Sequence, residues 1–326
     1  MLNRWARALG VLARFVVGTV ALLLVASVLI FALVRSSPGD PVEIEFGQTG
    51  ADAYLTPAEQ QRVREERRAQ LGLDGPLTVQ YQRWLERVVR LDLGVSYRTG
   101  QPVVEELVSR LPASAVLGVA GFVLTLGLAA GFALLGAHRP GGPTDHGVRL
   151  LVLVAAAVPT FLSGSILLRW AAQQFGYPLA GPASLGKVWL PALVMGLSGA
   201  ATMARLLRAS LIAERGKPYA TAALARGASP GRVLLRHVAR PAATPILTLA
   251  GLSLANLVAG SVITETVFSW PGVSAYAVGA IADQDYAVVQ AYLLLVVVVV
   301  VVVNRSVDAL QRGLDPRVRQ RTEAVA

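Results

Sequence analysis

The chain contains no cysteine and only three histidines among its 326 residues. The lack of cysteine excludes disulfides, thiolate metal ligands and a cysteine nucleophile. The three histidines form no His-x-x-x-His pair, which leaves little for a zinc site. The chain also has no G-x-x-x-x-G-K-[ST] segment, so we expect it not to hydrolyse ATP itself. We therefore expect neither a metal nor another cofactor.

Charged residues are scarce, at 15%, whereas hydrophobic residues make up 54% of the chain and the mean hydropathy is +0.55. Soluble domains have about 25% charged residues, so this composition is typical of a membrane protein with several spans. The formal net charge is +10. In a soluble protein this charge would suggest a nucleic-acid partner, but in a membrane protein basic residues mark the cytoplasmic loops.

Six segments without Asp, Glu, Lys, Arg or His are long enough, or nearly so, to cross a bilayer as helices, which takes about 20 residues. They are residues 15–34, 111–137, 150–168, 188–204, 241–264 and 286–304. The predicted fold class is therefore all-α, a polytopic membrane protein with six transmembrane helices. Three prolines, Pro159, Pro191 and Pro245, predict kinks in or near these spans.

Two segments leave alternatives for this topology. Residues 15–34 follow several arginines, as a signal peptide would, but they are too long for a typical signal core and no clear cleavage site follows, so we expect an uncleaved span. Residues 266–282 form a further uncharged run that could be a seventh span. Because Pro271 and Gly272 divide that run, we expect a short helix or a re-entrant turn on the external face instead.

Basic residues divide the connections between spans into two groups. One group contains the N-terminus, the 138–149 loop, the C-terminal tail and the loop 205–240. That loop has eight bases and one acid, namely Arg205, Arg208, Arg215, Lys217, Arg226, Arg232, Arg236 and Arg240 with Glu214. The other group contains residues 36–110, with 9 bases and 12 acids, and residues 265–285, with no base. The positive-inside rule places the first group, and therefore both termini, in the cytoplasm.

The long external segment contains two predicted helices. Thr56 as N-cap, Pro57 in the first helical position and Glu59 as the partner in a capping box begin a helix that Gly72 ends. Residues 79–90 place their apolar side chains on one side, which predicts an amphipathic helix against the membrane or the other helices.

The second half of the basic loop lies in the segment ALARGASPGRVLLRHVARP, residues 223–241. Residues 219–226 favour a short helix, Gly227 permits a left-handed turn, and Ser229 and Pro230 can cap and open a second helix. Three interpretations are open: a loop that only fixes topology, a DNA-binding helix-turn-helix, or a helix with small side chains on which another protein docks. The second helix continues into the next span and would be held at the bilayer, which argues against DNA binding.

Eight short motifs follow one another along the chain. They are PGDPV (38–42), LGLDGPLTVQYQRWL (71–85), DLGVSYRTGQPV (92–103), RLPAS (110–114), VPTF (158–161), ARGASPGRVLLRH (225–237), TETVFSWPGV (264–273) and LDPRVR (314–319). In this order they resemble the permease subunits of binding-protein-dependent ABC importers of the dipeptide, oligopeptide and nickel type. The resemblance covers nearly the whole chain, and the ordered set is specific although each motif alone is not.

The resemblance implies that the loop 205–240 docks into the groove of an ATPase subunit. The residues that it places at this contact are Tyr219, Thr221, Ala222, Ala223, Arg226 and Gly227. Thr221 stands where the general importer motif has a glutamate, Leu91 stands where a glycine is usual, and QDYA, residues 284–287, replaces an RDYP-like pattern.

The resemblance also implies the partners and the location of the chain. The expected partners are two ABC ATPase subunits, a second permease that is related but different, an extracytoplasmic substrate-binding protein and membrane lipid, with no nucleic acid. The expected location is the bacterial inner membrane. Residues 1–35 would form the N-terminal tail and first span, 36–110 a periplasmic segment, and 111–326 a five-helix permease core.

The predicted spans contain no acid, base or histidine. An intramembrane hydrolase or a proton-coupled transporter would need such groups, so we expect no enzyme activity and an energy supply from a partner. On the external side, Glu265, Asp283 and Asp285 are candidates for contact with solute or binding protein. A structural role at a helix end or on a loop face is the alternative for each. The alternative function is a membrane scaffold that recruits cytoplasmic proteins through the same loop.

Overall fold

The computed structural model describes residues 2–36, 41–49 and 54–314, which form helices joined by turns and short loops. In chain order the elements are α1 (Leu2–Arg35), α2 (Pro41–Thr49), α3 (Pro57–Gln70), α4 (Leu77–Val89), α5 (Val103–His138), α6 (Pro143–Ala157), α7 (Thr160–Phe175), α8 (Leu185–Arg215), α9 (Pro218–Ala225), α10 (Pro230–Arg232), a π-helical turn (Val233–Val238), α11 (Ala239–Val267), α12 (Val273–Ala282) and α13 (Tyr286–Leu314). Within these ranges extended backbone pairs only at one bridge, between Val95 and Pro102. The predicted all-α class is confirmed. Residues 38–40 and 315–319 of the predicted motifs lie outside the described residues.

The chain divides into two compact units. The first comprises residues 1–111 and 276–301, and the second comprises residues 112–275 and 302–326. Each unit is therefore built from two separate stretches of the chain. The first unit combines the predicted first span and external segment with residues that follow near the C-terminal end.

Four helices of the described chain are long and apolar enough to cross a membrane. They are Val16–Arg35, Val103–His138, Leu185–Arg215 and Tyr286–Val307, and each contains most or all of a predicted span. The predicted span 241–264 lies within α11, which has 29 residues. The chain is thus a membrane protein with several apolar helices.

The predicted span 150–168 is not one helix. Helix α6 ends at Ala157, α7 begins at Thr160, and the two axes differ by 104°. Pro159 lies in the break and has no amide donor with which to continue the helix. The residue before it, Val158, has extended backbone with a ψ of 123°, because proline disfavours helical backbone in the preceding residue. The pair is therefore either a broken span or a re-entrant loop. The kink predicted at Pro159 is confirmed. The helical backbone of α8 and α11 is continuous at Pro191 and Pro245, and the kinks predicted there stay predictions.

The alternative seventh span over residues 266–282 does not form. Helix α11 ends at Val267 and α12 has only 10 residues, about 15 Å at 1.5 Å per residue. This length is about half of the hydrocarbon thickness of a bilayer. The predicted short helix is confirmed.

In the first unit, both helices predicted in the external segment form as expected. Helix α3 begins after Thr56, whose backbone N–H donates to the Glu59 carboxylate at 2.9 Å. Helix α4 packs on α1 through Trp84, which is buried, and Tyr81, whose hydroxyl lies 2.8 Å from the Ser27 hydroxyl. The apolar side of α4 thus lies against another helix, as one of the two predicted arrangements requires.

In the second unit, α5 and α8 approach closely because α8 carries glycine at the contact. A Cβ at Gly196 would lie 2.8 Å from Leu124 Cβ, and one at Gly199 would lie 2.8 Å from Thr125 Oγ1. Small residues at a helix crossing allow backbones to pack closely in membrane proteins, where no hydrophobic force between helices is available. Helix α8 therefore has a fixed position against α5, and its C-terminal end leads directly to the basic loop.

Candidate functional site

The segment 205–240 folds as its local sequence predicts. Helix α9 covers Pro218–Ala225, and Gly227 follows with a φ of +86°, in the left-handed region that glycine adopts without strain. Ser229 caps the next helix, since its side chain accepts a hydrogen bond from the backbone N–H of Arg232, and Pro230 takes the first helical position. The two helices are thus joined by a tight turn with its own capping.

The two faces of α9 differ. Ala220 and Ala223 are buried, 0% and 3% exposed, in an apolar cluster with α5, α8 and the start of α11. Thr221, Ala222 and Arg226 are exposed on the other side, as is Tyr219 at its N-terminal end. Of the residues predicted to meet an ATPase, Ala223 therefore faces inward. Ala223 packs the helix against the apolar cluster, and the remaining candidates form the outer surface of the segment.

Ionic contacts join the end of α8 to the start of α9. The Lys217 ammonium lies 2.5 Å from the Glu214 carboxylate, and the Tyr219 hydroxyl donates to the same carboxylate at 2.6 Å. Partial desolvation of the phenol, together with its hydrogen bond to the Glu214 carboxylate and the negative charge of that group, raises the pKa of Tyr219 to about 12. The connection of two residues between α8 and α9 is therefore short and cross-linked.

After the turn, the chain enters α11 through one π-helical turn, Val233–Val238. Sequence reasoning predicted a continuous helix but not this π-helical turn, for which the residues carry no local signal. Val233, Leu234 and Val238 are buried in the same cluster as Ala220. A π turn adds a residue to the helix, and such turns are frequent at functional sites. The helix from Pro230 to Val267 is thus unbroken, as the argument against DNA binding required.

Glu265, a candidate for solute contact, has a structural role in this structure. Its side chain is 0% exposed, and its carboxylate accepts hydrogen bonds from Ser114 Oγ at 2.7 Å and from the backbone N–H groups of Ser274 at 2.8 Å and Ala275 at 3.0 Å. The first N–H groups of α12 have no partner within the helix, so a carboxylate there caps it and also complements the helix dipole. Glu265 is therefore unavailable to a solute in this conformation.

Asp285 is likewise buried, and Asp283 is paired. The Asp285 carboxylate accepts a hydrogen bond from Ser96 Oγ at 2.6 Å, while Asp283, about one third exposed, lies 2.7 Å from the Arg98 guanidinium. Between them, the Tyr97 hydroxyl donates to the carbonyl of Gln284. We call this set, residues 96–98 with 283–285, the loop–turn contact. It joins the motif segment 92–103 to the turn that precedes α13, and of its two acids only Asp283 faces solvent.

Burial raises the pKa of Asp285 above that of an ordinary aspartate, although the hydrogen bond from Ser96 acts in the opposite direction. The pKa of Arg98 is raised by its hydrogen bond to Asp283. Asp285 and Asp283 are thus bonded to Ser96 and Arg98, and Glu265 caps α12. All three acids predicted on the external side therefore hold a helix end or a loop in place.

Two of the departures from the family pattern fall on unusual backbone. Leu91 has a φ of +60° and Gln284 a φ of +56°, both in the left-handed region. Glycine occupies this region freely, whereas another residue there costs roughly 1–2 kcal/mol. The left-handed backbone at position 91 thus explains why glycine is usual there, and Leu91 adopts this conformation under strain.

Comparison with known proteins covers most of the chain. A family model described as binding-protein-dependent transport system inner membrane component matches residues 123–320, and a model for the N-terminal part of this membrane component matches residues 8–118. A crystal structure of an amino acid ABC transporter has a TM-score of 0.51 and 14% identity, over 64% of this chain and 94% of that one. At this identity the likeness shows the fold alone.

Similarity to relatives in sequence extends over nearly the full length of both proteins in each comparison. A probable peptide ABC transporter permease protein of Sinorhizobium fredii is 34% identical, over 94% of this chain and 98% of that protein. A di/tripeptide transport system permease protein of Pseudomonas aeruginosa is 34% identical, over 98% and 99%. A glutathione transport system permease protein of Escherichia coli is 32% identical, over 95% and 99%.

The ordered motifs, the apolar helices and the short α9 between two long helices agree with these matches. The chain belongs to the family of inner membrane components of binding-protein-dependent transport systems, the permease subunits of ABC importers, which are not enzymes.

Proposed function

We propose that the chain is one of two different permease subunits that together form the pathway of an importer in the bacterial inner membrane, and that the solute is a peptide or a similar small molecule. The family works with ATPase subunits and a substrate-binding protein. The peptide assignment is supported by relatives whose names state peptides, at 34% identity. Selectivity would come mainly from the binding protein.

The proposed topology has six crossings with both termini in the cytoplasm. It uses the four long apolar helices, the bent pair α6–α7 as a fifth crossing, and α11 as the sixth. With 29 residues, α11 is about 43 Å long, enough to cross with some tilt. In this topology the eight bases of loop 205–240 lie in the cytoplasm and residues 36–110 lie outside.

The observation that carries the proposed mechanism is the difference between the two sides of α9, of which one is buried and the other is exposed. Its inner alanines are seated in the apolar cluster, and its outer side has small residues, such as Thr221 and Ala222, beside Arg226. Small side chains would let the groove of an ATPase subunit approach the helix backbone. Helix α9 is also joined by short connections to α8 and α11, so a displacement of α9 acts on two long helices.

Transport would follow from coupled equilibria. Closure of the two ATPases on binding ATP would displace α9, and the long helices would move so that the pathway opens to the binding protein. The ATPases can bias the permease only if they bind its two conformations with unequal affinity. The proposed role of Tyr219, Thr221, Ala222, Arg226 and Gly227 is to form this differential contact.

The test is reconstitution in liposomes with the second permease, the ATPases and the binding protein. Ala222→Trp should abolish copurification of the ATPases and the ATP hydrolysis that the binding protein stimulates, because its side chain would fill the approach to α9. Ala69→Trp, at an exposed alanine of α3, is the matched control and should leave both unchanged. Full hydrolysis in the Ala222 variant would contradict docking at α9. A scaffold would retain partners yet show no uptake of labelled dipeptide in the wild type.

A further inference from the structure

The corner between α5 and α6, residues 138–145, is tied to α8 by a buried ion pair. Arg208 donates from Nε and from Nη2 to the two carboxylate oxygens of Asp145, each at 2.6 Å. The Asp145 side chain is 0% exposed and that of Arg208 is 22% exposed. Two parallel N–H···O bonds between a guanidinium and a carboxylate fix orientation as well as distance. The start of α6 therefore has a defined position against α8.

A second arginine of α8 holds the other side of this corner. Arg215 Nη1 donates to the backbone carbonyls of Ala137 and His138, both at 3.1 Å. The last carbonyls of a helix have no donor within it, and a cation at that end is favourable. Residues seven apart lie on the same side of a helix, so Arg208 and Arg215 both face the corner.

The corner is closely fitted around the ion pair. The backbone N–H of Gly141 donates to Asp145 Oδ2 at 2.9 Å, which gives the carboxylate a third donor. A Cβ at Gly136 would lie 3.1 Å from both Arg208 Cδ and Asp145 Oδ1, so the pair lies directly on the backbone of α5. Three helices, α5, α6 and α8, thus meet at these two side chains.

Stability alone does not explain such a pair. The cost of removing two charges from water often equals their attraction, and apolar residues of similar volume are frequently as stabilising as a buried ion pair. An apolar pair, however, does not fix the relative orientation of two helices as the two parallel hydrogen bonds of an ion pair do. A fixed orientation of α6 against α8 matters at this corner because α9 begins close by: α8 ends at Arg215 and α9 begins at Pro218. The inner face of α9 also packs in the cluster that contains Ala137 and Leu211.

We propose that Arg208 and Asp145, supported by Arg215, are positioning residues that transmit the displacement of α9 to α6. This inference rests on the proposed function. Helices α8 and α11 follow α9 through the chain itself, whereas α6 is separated from it in sequence by α7 and α8. The ion pair makes the start of α6 move with the end of α8 as one body. Without it, ATP hydrolysis would continue and the α6–α7 pair would not follow.

The experiment uses the complete importer in liposomes and compares Asp145→Asn and Arg208→Lys with the wild type. We expect ATPase copurification and stimulated hydrolysis to stay within about twofold, and solute moved per ATP to fall by about tenfold, inside the usual range of coupling energies. Asp74→Asn is the control, since it breaks an exposed ion pair with Arg83 at 3.0 Å in the other unit. Unchanged solute per ATP, or a parallel loss of hydrolysis and transport, would overturn the proposal.

A double variant, Asp145→Leu with Arg208→Met, separates transmission from folding. Because an apolar pair can replace a buried ion pair without loss of stability, this variant should unfold at the wild-type temperature or above it. It should nevertheless remain uncoupled, with hydrolysis retained and uptake reduced. Normal uptake by the double variant would show that the pair is only structural. Loss of the ATPases from both the wild type and the variants would instead count against docking at α9.

Discussion

Ser96 and Asp285 lie 189 residues apart in the sequence, and the Ser96 hydroxyl donates a hydrogen bond of 2.6 Å to the buried Asp285 carboxylate. Asp285 also accepts, at 3.4 Å, from the backbone N–H of Val288 in the first turn of α13. One carboxylate thus joins the loop–turn contact to the start of a long apolar helix. Its energetic contribution depends on whether it is charged.

Replacing Asp285 by asparagine should preserve this arrangement, because the amide oxygen can still accept from Ser96. It also removes the cost of burying a charge. Alanine should destabilise the protein by about 1–3 kcal/mol, since it leaves a buried donor unpaired. Thermal unfolding in detergent at pH 7.5, an ordinary neutral condition, should therefore rank asparagine at or above the wild type and alanine below it. Asparagine and alanine variants of equal stability would contradict this assignment.

The same side chain predicts a dependence on pH. Burial raises the pKa of Asp285 in the folded protein, so its contribution to stability is fully present below the pKa of the unfolded chain, about 3.9. That contribution is lost as the pH rises through the folded-state pKa. The advantage of Asp285→Asn over the wild type should therefore be largest near neutral pH and should shrink on acidification. A growing advantage at lower pH would contradict the sign.

Glu265 should act through its capping of α12. Glu265→Ala removes the acceptor of Ser114 and of two backbone N–H groups, with an expected cost of about 1–3 kcal/mol. Glu265→Gln keeps one oxygen in place and should lose less. Gly272→Ala should also destabilise, because a Cβ there would overlap the Glu265 carboxylate.

The measurement for these variants is the midpoint of thermal unfolding. Gly127→Ala in α5 is the control for Gly272→Ala, since nothing lies within 4 Å of a Cβ at that position. Alanine is favoured over glycine inside a helix, so this control should be neutral or slightly stabilised. Equal effects at the two glycines would show that Glu265 does not restrict position 272.

Gly227 permits a test of backbone conformation without steric overlap. Its φ is +86°, and a Cβ would meet no atom within 4 Å. Gly227→Ala should therefore cost about 1 kcal/mol through strain alone, whereas Gly227→Asn should cost less because asparagine tolerates left-handed backbone. Transport and ATPase binding should follow the same order. A larger loss for asparagine than for alanine would indicate that bulk at this position matters more than conformation.

Leu91 offers the reverse experiment. Its φ of +60° is unfavourable for leucine, and its side chain is 73% exposed, so little packing would be lost on its removal. Leu91→Gly should raise the unfolding midpoint, by relief of about 1 kcal/mol of strain. Leu77→Gly, which also removes an exposed leucine but in the first turn of α4, should lower it. Destabilisation of equal size at both positions would show that Leu91 is not strained.

Local signals account for what could be predicted in the loop 205–240. The turn at Gly227, the cap at Ser229 and the opening proline each act through hydrogen bonds within a few residues, and each was found where expected. The π turn and the inward face of Ala223 were not predicted. Both depend on which side of the segment meets the apolar cluster, which involves residues from α5 to α11.

The acids predicted on the external side also show that long-range contacts cannot be predicted from local signals. From the sequence, Glu265 and Asp285 were candidates for contact with solute or binding protein, and a structural role at a helix end or on a loop face was the alternative. Their burial is decided by partners 151 and 189 residues away, Ser114 and Ser96. Similarly, Arg208 was counted among the bases that fix topology, and nothing near it in the sequence indicates Asp145 as its partner.

The sequence by itself determined that the chain is an all-helical membrane protein, because uncharged runs of about 20 residues can satisfy their backbone hydrogen bonds in lipid only as helices. It also determined the family, through ordered motifs, and the short helix, turn and cap of the basic loop, through contacts between near neighbours. Only the tertiary structure decided which acids are buried and which helices the arginines of α8 join. Those outcomes depend on groups brought together by packing, and no local hydrogen bond or periodicity encodes their proximity.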